Sequence, residues 1–206
     1  MPTKDMQSKT QKIPKLRFFG FAGEWEERKL GDIVAFLKGS GISKEDVSQG
    51  GKYKCIRYGE LYTEYREVIK EVKSKTNISP DDSLLSEKND VLLPSSGETA
   101  LDMATSSCIQ EGNVLLGGDI NVLRLQKNQN GVFFAYYLKN FQKINIAKIA
   151  QGHSVVHLYA SQLKKIKINL PSLLEQQKIA EFLGLADGWI ENLQEQKVSL
   201  GLYKKG

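Results

Sequence analysis

The run LPSLLEQQKIAEFLGLADGWI, which opens the last fifth of this 206-residue chain, limits its fold more than any other stretch. Pro171 closes whatever strand precedes it. Ser172-x-x-Glu175 has the spacing of a capping box, in which the serine hydroxyl and the glutamate carboxylate each satisfy an orphan backbone N–H, so a helix is predicted from Leu173. Steps of four and three from Ile179 reach Leu183, Ala186, Ile190, Leu193, Lys197 and Leu200. A neighbouring seam runs through Phe182, Ala186, Trp189, Leu193, Gln196, Leu200 and Tyr203. Two adjacent seams make a wide apolar face. Some thirty residues at 1.5 Å each would reach about 45 to 50 Å, beyond the diameter of a domain this size, so part of the face needs a partner. Gly184, Gly188 and Gly201 each weaken a helix by up to about 1 kcal/mol and are read as marking a kink or a close helix approach. The plainer alternative is a terminal helix folded back on its own domain.

The residues before this helix read as a mixed α/β domain over 15–171, preceded by a polar, lysine-rich arm over 1–14 that lacks apolar periodicity. GEWEERKLGDIVAFLKGSGIS is predicted as a short amphipathic helix with Leu30, Ile33, Val34 and Leu37 on one face, ended by Gly39-Ser40-Gly41. KYKCIRYGELY has the residue types of a strand. NDVLLPSSGET reads as a buried strand from Val91 to Leu93, stopped by Pro94, and NVLLGGDINVLRLQ as two strands about Gly117-Gly118. GVFFAYYLKNFQKINIAKI spaces Phe133, Phe134, Tyr137, Leu138 and Phe141 as one helix. LKKIKINLP sets Leu163, Ile166, Ile168 and Leu170 as a short strand.

Charge is distributed unevenly along the chain. Between Ile120 and Leu174 stand eight basic residues (Arg124, Lys127, Lys139, Lys143, Lys148, Lys164, Lys165, Lys167) and no carboxylate, so this segment carries more than the whole net charge of +5. Such a stretch suits a phosphate backbone, whose neutralisation releases counterions; a solvated lysine-rich face is the bland alternative. No run of about 18 apolar residues is present, and the N-terminus has no apolar stretch of a secretory signal, so a cytoplasmic protein without a membrane span is expected. Cys55 and Cys108 stand alone and read as free thiols.

The constellations of a DNA-acting enzyme fail one by one. GSGISK lacks the GxxxxGK[ST] spacing that wraps phosphates. PDDSLLSEK has no following acid-x-lysine, and Glu71-Val72-Lys73, which has that spacing, lies on the wrong side of it. FFGFAG is a near miss to a methyl-donor loop, with no [DN]-P-P-[YF] to accompany it. His153 and His157 are four apart but without the HExxH glutamate, so no metal is expected. With two histidines in total and no nucleophile-base pairing visible, catalysis by this chain is not expected.

Five stretches together resemble the specificity subunit of type I restriction-modification systems: PKLRFFGFAGEWEERKLGDI, IRYGELYT, NDVLLPSSGET, GGDINVLRL and, most diagnostic, AQGHSVVHLYASQLKKIKINLPSLLEQQKIAEFL. The resemblance covers essentially the whole chain. Such subunits usually carry two recognition domains, each followed by a long helix; this sequence contains one such unit and resembles a half subunit. Asn89-Asp90 stands where the family often has Gly-Asp, and asparagine tolerates a left-handed turn. The end LGLYKKG stops where family helices commonly run on, as a truncated gene would. The resemblance implies a non-catalytic subunit that reads one half of a bipartite site on double-stranded DNA. It implies that the chain holds methyltransferase subunits and restriction/translocase subunits, to which S-adenosylmethionine, ATP and magnesium would belong. It further implies homodimerisation through an antiparallel coiled coil of the 172–206 helix, using Ile179, Phe182, Leu183, Ala186, Trp189, Ile190, Leu193 and Leu200, which would fix the half-site spacing.

The expected DNA contacts are polar residues beside predicted element ends: Lys38 and Ser40; Arg57 and Tyr58; Ser95, Ser96, Glu98 and Thr99; Lys148, Gln151, His153 and Ser154. Arg57 would suit guanine and Gln151 adenine, with the lysines on phosphates; capping and solvation are the competing roles for each. His157, between Val156 and Leu158, reads as a structural histidine. A coiled-coil scaffold without DNA, or an enzyme with an unrecognised site, are the rival readings.

Overall fold

The computed structural model describes residues 13–81, 83–152 and 154–203. The expected arm over 1–14 therefore lies almost wholly outside the described residues. The first helix expected from sequence is absent: 26–38 forms strand β1 (Glu26–Lys29), a 3-10 turn (Leu30–Asp32) and strand β2 (Val34–Lys38). The i, i+3, i+4 pattern there came from a buried turn followed by a strand. Leu30 and Ile33 are buried from the turn, while Val34 to Lys38 pair with five consecutive residues of a later strand, and that non-local pairing decides the conformation.

Strand β3 (Tyr53–Ile56) gives way to the single-turn helix α1 (Glu60–Thr63), so only the first half of KYKCIRYGELY is extended. Short strands β4 (Val68–Ile69) and β5 (Lys75–Thr76) precede the buried strand β6 (Val91–Pro94). Then come β7 (Ser96–Gly97), β8 (Ser107–Ile109), β9 (Leu115–Leu116) and β10 (Ile120–Leu125), the last two separated at Gly117-Gly118 as expected. The long helix expected over 131–149 is two: α2 (Gly131–Asn140) and α3 (Lys143–Ile149). The break follows from Asn140, whose amide donates to the Tyr136 carbonyl, and from Gln142, whose N–H reaches back to Tyr137 O at 3.2 Å in a widened turn. Phe141 is left exposed, stacked on Tyr137. Strand β11 (Val156–His157) and helix α4 (Ala160–Leu163) lead into β12 (Lys167–Leu170), so Leu163 and Ile166 precede the strand that was expected to contain them.

The largest sheet has the order β2-β10-β6-β8-β4, antiparallel except for β4 on β8. Its central strands are buried on both faces. Val91, Leu93 and Leu123 pack with Phe133, Phe134 and Leu138 of α2, while Leu92 and Val122 pack with Ile56, Leu61 and Leu116 on the other side. A second sheet, β5-β3-β9, covers that other side, and two-stranded ribbons β1-β12 and β7-β11 flank the whole. Asn89, just before β6, takes the left-handed conformation (φ 81°), and its Oδ1 accepts the N–H of Gly131, which starts α2.

Helix α5 (Leu173–Tyr203) runs 31 residues without interruption, about 46 Å at 1.5 Å per residue. A Cβ at Gly184, Gly188 or Gly201 would meet nothing within 4 Å, so none of the three lies in close approach to the described residues of its own domain. The capping box is only half made. Ser172 Oγ accepts the Glu175 N–H at 3.3 Å, but the buried Glu175 carboxylate turns away to a bidentate pair with Arg17 (both contacts 2.7 Å) and to Trp25 Nε1. Next to it, buried Gln176 bonds Pro171 O, Gln129 and the N–H of Asn130. A polar knot thus fastens the root of the helix.

Candidate nucleic-acid interface

One end of the large sheet gathers most of the polar residues singled out from sequence, and backbone hydrogen bonds show how. At the end of β2, Gly39 N–H bonds Ile120 O and Ser40 N–H bonds Leu116 O. Gly117 N–H bonds Ile56 O, which brings up Arg57 and Tyr58; Ser95 N–H bonds Asp119 O, and Leu158 N–H bonds Ser95 O. Five loops are thereby laced side by side. The lacing requires Gly39, because a Cβ there would strike the carbonyl oxygens of Gly117 and Leu116.

Within this cluster a concavity of about 190 Å³ is lined by Lys38, Ser95 and Ser96, by Asp119, Asn121, His157 and Tyr159, and by Phe36. Lys38 and Tyr159 are exposed, Asp119 and His157 half-buried, and Ser95, Ser96 and Asn121 buried. Ser96 Oγ lies 3.0 Å from His157 Nδ1, an arrangement fixed by the Ser96–His157 register of β7 on β11. Asn121 Nδ2 is committed to Leu158 O at 2.8 Å. Lys164 Nζ stands 5.6 Å over the Phe36 ring, which puts another cation at the rim.

The other expected residues divide into neighbours and structural members. Gln151 joins the site through a two-way bridge with His157 (N–H to O, 2.9 and 2.7 Å), with exposed Lys148 and Ser154 on either side of it in sequence. Thr99 accepts a capping role: its hydroxyl and N–H both donate to Asp102 Oδ2, at 2.7 and 3.1 Å. Glu98 is exposed beside Tyr62, whose hydroxyl is pushed up by burial, with Tyr58, Glu98 and Asp102 adding to it. Arg57 sends its backbone N–H to Glu60 at 2.7 Å; its Nε is buried without a hydrogen-bond partner, 3.7 Å from Glu60 Oε2. His153 lies outside the described residues.

Beside the expected contacts the concavity brings Asp119, Asn121 and Tyr159, together with His157, which the sequence reads as structural, and Lys164 of the basic segment. The signal for Asp119 was GGD, where a non-glycine residue adopts a positive φ of 61°. Asn121 and His157 are brought there by strand pairing. The basic run is also less uniform in space than in sequence. Arg124 pairs with Asp90 and Glu87, Lys139 with Glu67 and Lys167 with Glu27, whereas Lys127, Lys143, Lys148, Lys164 and Lys165 make no ion pair among the described residues. Among the described residues no three His, Cys, Asp or Glu side chains come together as a metal ion would require. Burial pushes the Cys55 thiol up to about 11 and Cys108 to about 12, so neither is a nucleophile at neutral pH. No helix among the described residues is long and apolar enough to cross a membrane.

Helix α5 presents two different faces. Ala180 is buried, Asp187 accepts a hydrogen bond from Tyr136 Oη at 2.6 Å, and Glu191 and Gln194 meet Arg66, so this row lies against the domain. Ile179, Leu183 and Ala186 are partly covered along its flank. Phe182, Trp189, Ile190, Leu193 and Leu200 are exposed, Trp189 by 69%, and Phe182 meets the Phe18 ring edge-on. The second of the two seams, and the end of the first, is therefore uncovered.

Residues 22–200 match the family model described as the type I restriction modification DNA specificity domain. The chain belongs to this family. A type I restriction enzyme specificity subunit of Haemophilus influenzae is 29% identical over 163 residues, covering 75% of this chain and 38% of the relative. The MjaX specificity subunit of Methanocaldococcus jannaschii is 27% identical over 198 residues, covering 89% and 44%. The crystal structure of the S subunit of the type I restriction-modification system of M. genitalium superimposes with a TM-score of 0.64 at 22% identity, covering 88% of this chain and 44% of that one. This specificity domain thus spans less than half the length of those relatives and shares the mixed α/β fold with its long C-terminal helix.

Proposed function

We propose that this specificity domain reads one half of a bipartite site on double-stranded DNA, with 15–171 as the recognition unit and the terminal helix as a spacer. The observation that carries the reading is the convergence of Lys38, Ser40, Arg57, Tyr58, Ser95 and Ser96 at one end of the sheet, on loops held rigid by backbone hydrogen bonds. Rigid loops carrying donors and acceptors suit base edges, and Lys148 and Lys164, which make no ion pair among the described residues, suit phosphates. The chain is non-catalytic in this reading. It works in the cytoplasm and docks methyltransferase and restriction/translocase subunits, which bring S-adenosylmethionine, ATP and magnesium. Two copies pair antiparallel through the uncovered seam of α5, so that a two-fold dimer reads two identical half-sites at a set distance.

The test is duplex binding across a salt series by the chain together with its methyltransferase subunit, paired with sequencing of methylated adenines in cells carrying both. A bipartite methylated motif and affinity that falls steeply with salt are expected. Absence of any duplex binding at low salt would leave a protein-docking scaffold as the better reading, and methyl transfer by the isolated chain would make it an enzyme.

A further inference from the structure

We infer that two copies of α5 pair antiparallel in a single register, with the two-fold axis beside residue 191, so that Trp189 packs on Leu193 of the second copy and Phe182 on its Leu200. The inference rests on the dimer proposed above and names the residues that meet in it. The seam is free to pair because it lies opposite the domain. At about 100° per residue, Phe182, Trp189, Leu193 and Leu200 point roughly 140–180° away from the row through Ala180, Asp187 and Glu191 that packs on the domain. The root of the seam is already closed: Arg17 holds Glu175, which is 1% exposed, and the Phe18 ring meets Phe182 edge-on at 5.5 Å. No charged residue stands among the six seam positions from Phe182 to Leu200, so an identical helix brings no like charges into the contact.

The spacing of the seam selects the register. From Phe182 it advances by 4, 3, 4, 3, 4 and 3 residues to Tyr203. A second copy running the other way presents these steps in reverse, and four-residue steps face four-residue steps only at registers one heptad apart. With Phe182 against Leu200, both central layers set Trp189 against Leu193. Gln196 then faces Ala186, whose small side chain leaves the amide room to keep its 2.6 Å bond to Asn192 Oδ1. A shift of one heptad towards the root brings Leu200 of the second copy onto Glu175, where Arg17 and Trp25 already sit. A shift of one heptad towards the tip puts Gln196 against Leu193 in both central layers, burying each amide head among apolar side chains. Larger shifts reach further into the root or give up layers.

The test is cross-linking of the full chain by a short bismaleimide through single cysteines on the two flanks of the seam: Leu185→Cys, Ile190→Cys, Asn192→Cys and Ser199→Cys. All four positions are exposed, so the substitutions spare the domain, and the native Cys55 and Cys108 are buried. In the inferred register residues 190 and 192 each lie about 3 Å along the axis from their counterparts, whereas 185 and 199 lie about 18 and 24 Å from theirs. Ile190→Cys and Asn192→Cys are therefore both expected to give covalent dimer, at least about tenfold more than Leu185→Cys or Ser199→Cys. A shift towards the tip would cross-link Asn192→Cys without Ile190→Cys, and a shift towards the root Ile190→Cys without Asn192→Cys. A parallel pair would cross-link all four. Any of these patterns, or no cross-link at all in a chain that is dimeric by light scattering, overturns the register and leaves the dimer standing. A wild-type chain that is monomeric by light scattering, and brings one copy into its complex with the methyltransferase subunit, instead removes the dimer reading and the register with it.

Discussion

Asp90 shows how one side chain can hold several elements together. Its side chain is 2% exposed and takes a two-point hydrogen bond from Arg124 of β10 (3.1 and 2.9 Å), while also accepting the Glu87 N–H at 2.8 Å in the turn before β6. Arg124 in turn bonds Leu85 O. Removing the carboxylate leaves a guanidinium three-quarters buried with only the exposed Glu87 carboxylate opposite it among the described residues, so Asp90→Ala is expected to cost about 3 kcal/mol, read as a fall in the urea midpoint at unchanged m-value. The two cysteines make a second test at this scale. With folded thiols at about 11 and 12, the more acidic is about a thousandth ionised at pH 8. Neither should react with iodoacetamide in the native protein at pH 8 within the time that labels both in urea.

Among the elements, α5 departs most from what its neighbours can cover. The domain takes the row through Ala180, Asp187 and Glu191, leaving Trp189 and Leu193 exposed by 69% and 64%. Because these two make no contribution to the domain's core, Trp189→Asp with Leu193→Asp should leave thermal unfolding of the domain within about 0.5 kcal/mol of wild type. In the proposed dimer the same pair of changes should halve the mass measured by light scattering. Leu183, half-covered by its own domain, would confound the two effects. The amphipathic spacing that revealed α5 misled at Leu30 to Leu37, and the difference is length. Over three turns or more only a helix keeps apolar residues on one side, whereas over eight residues a buried turn plus a strand gives the same string. Asn140 and Gln142 broke the second expected helix through side-chain and backbone bonds that periodicity does not register.

For the whole molecule, the separation of lysines without an ion pair among the described residues from those with one governs how DNA would be held. Three of the eight cations in the basic segment are neutralised internally, so the salt dependence of binding should reflect the rest. Lys148→Ala is expected to weaken binding about equally for all duplexes and to reduce the slope of log K against log salt by roughly 1, whereas Lys139→Ala, which removes a partner of Glu67, should leave that slope unchanged.

The sequence alone determined the terminal helix, its start at Leu173 and its two-seamed apolar face, because capping and 3.6-residue periodicity are local properties that a long segment states many times over. It determined the buried strand at Val91, the left-handed turn at Asn89 and the two strands on either side of Gly117-Gly118 from equally local signals. Only the tertiary structure decided that Lys38, Ser96, Asp119 and His157 line one concavity, since they meet through strand pairings between residues far apart in sequence, Lys38 with Asn121 and Ser96 with His157, that no local pattern encodes. It also decided where Glu175 points: a capping pattern names the carboxylate's local option, and the arrival of Arg17 and Trp25 from the far end of the chain supplied a stronger one.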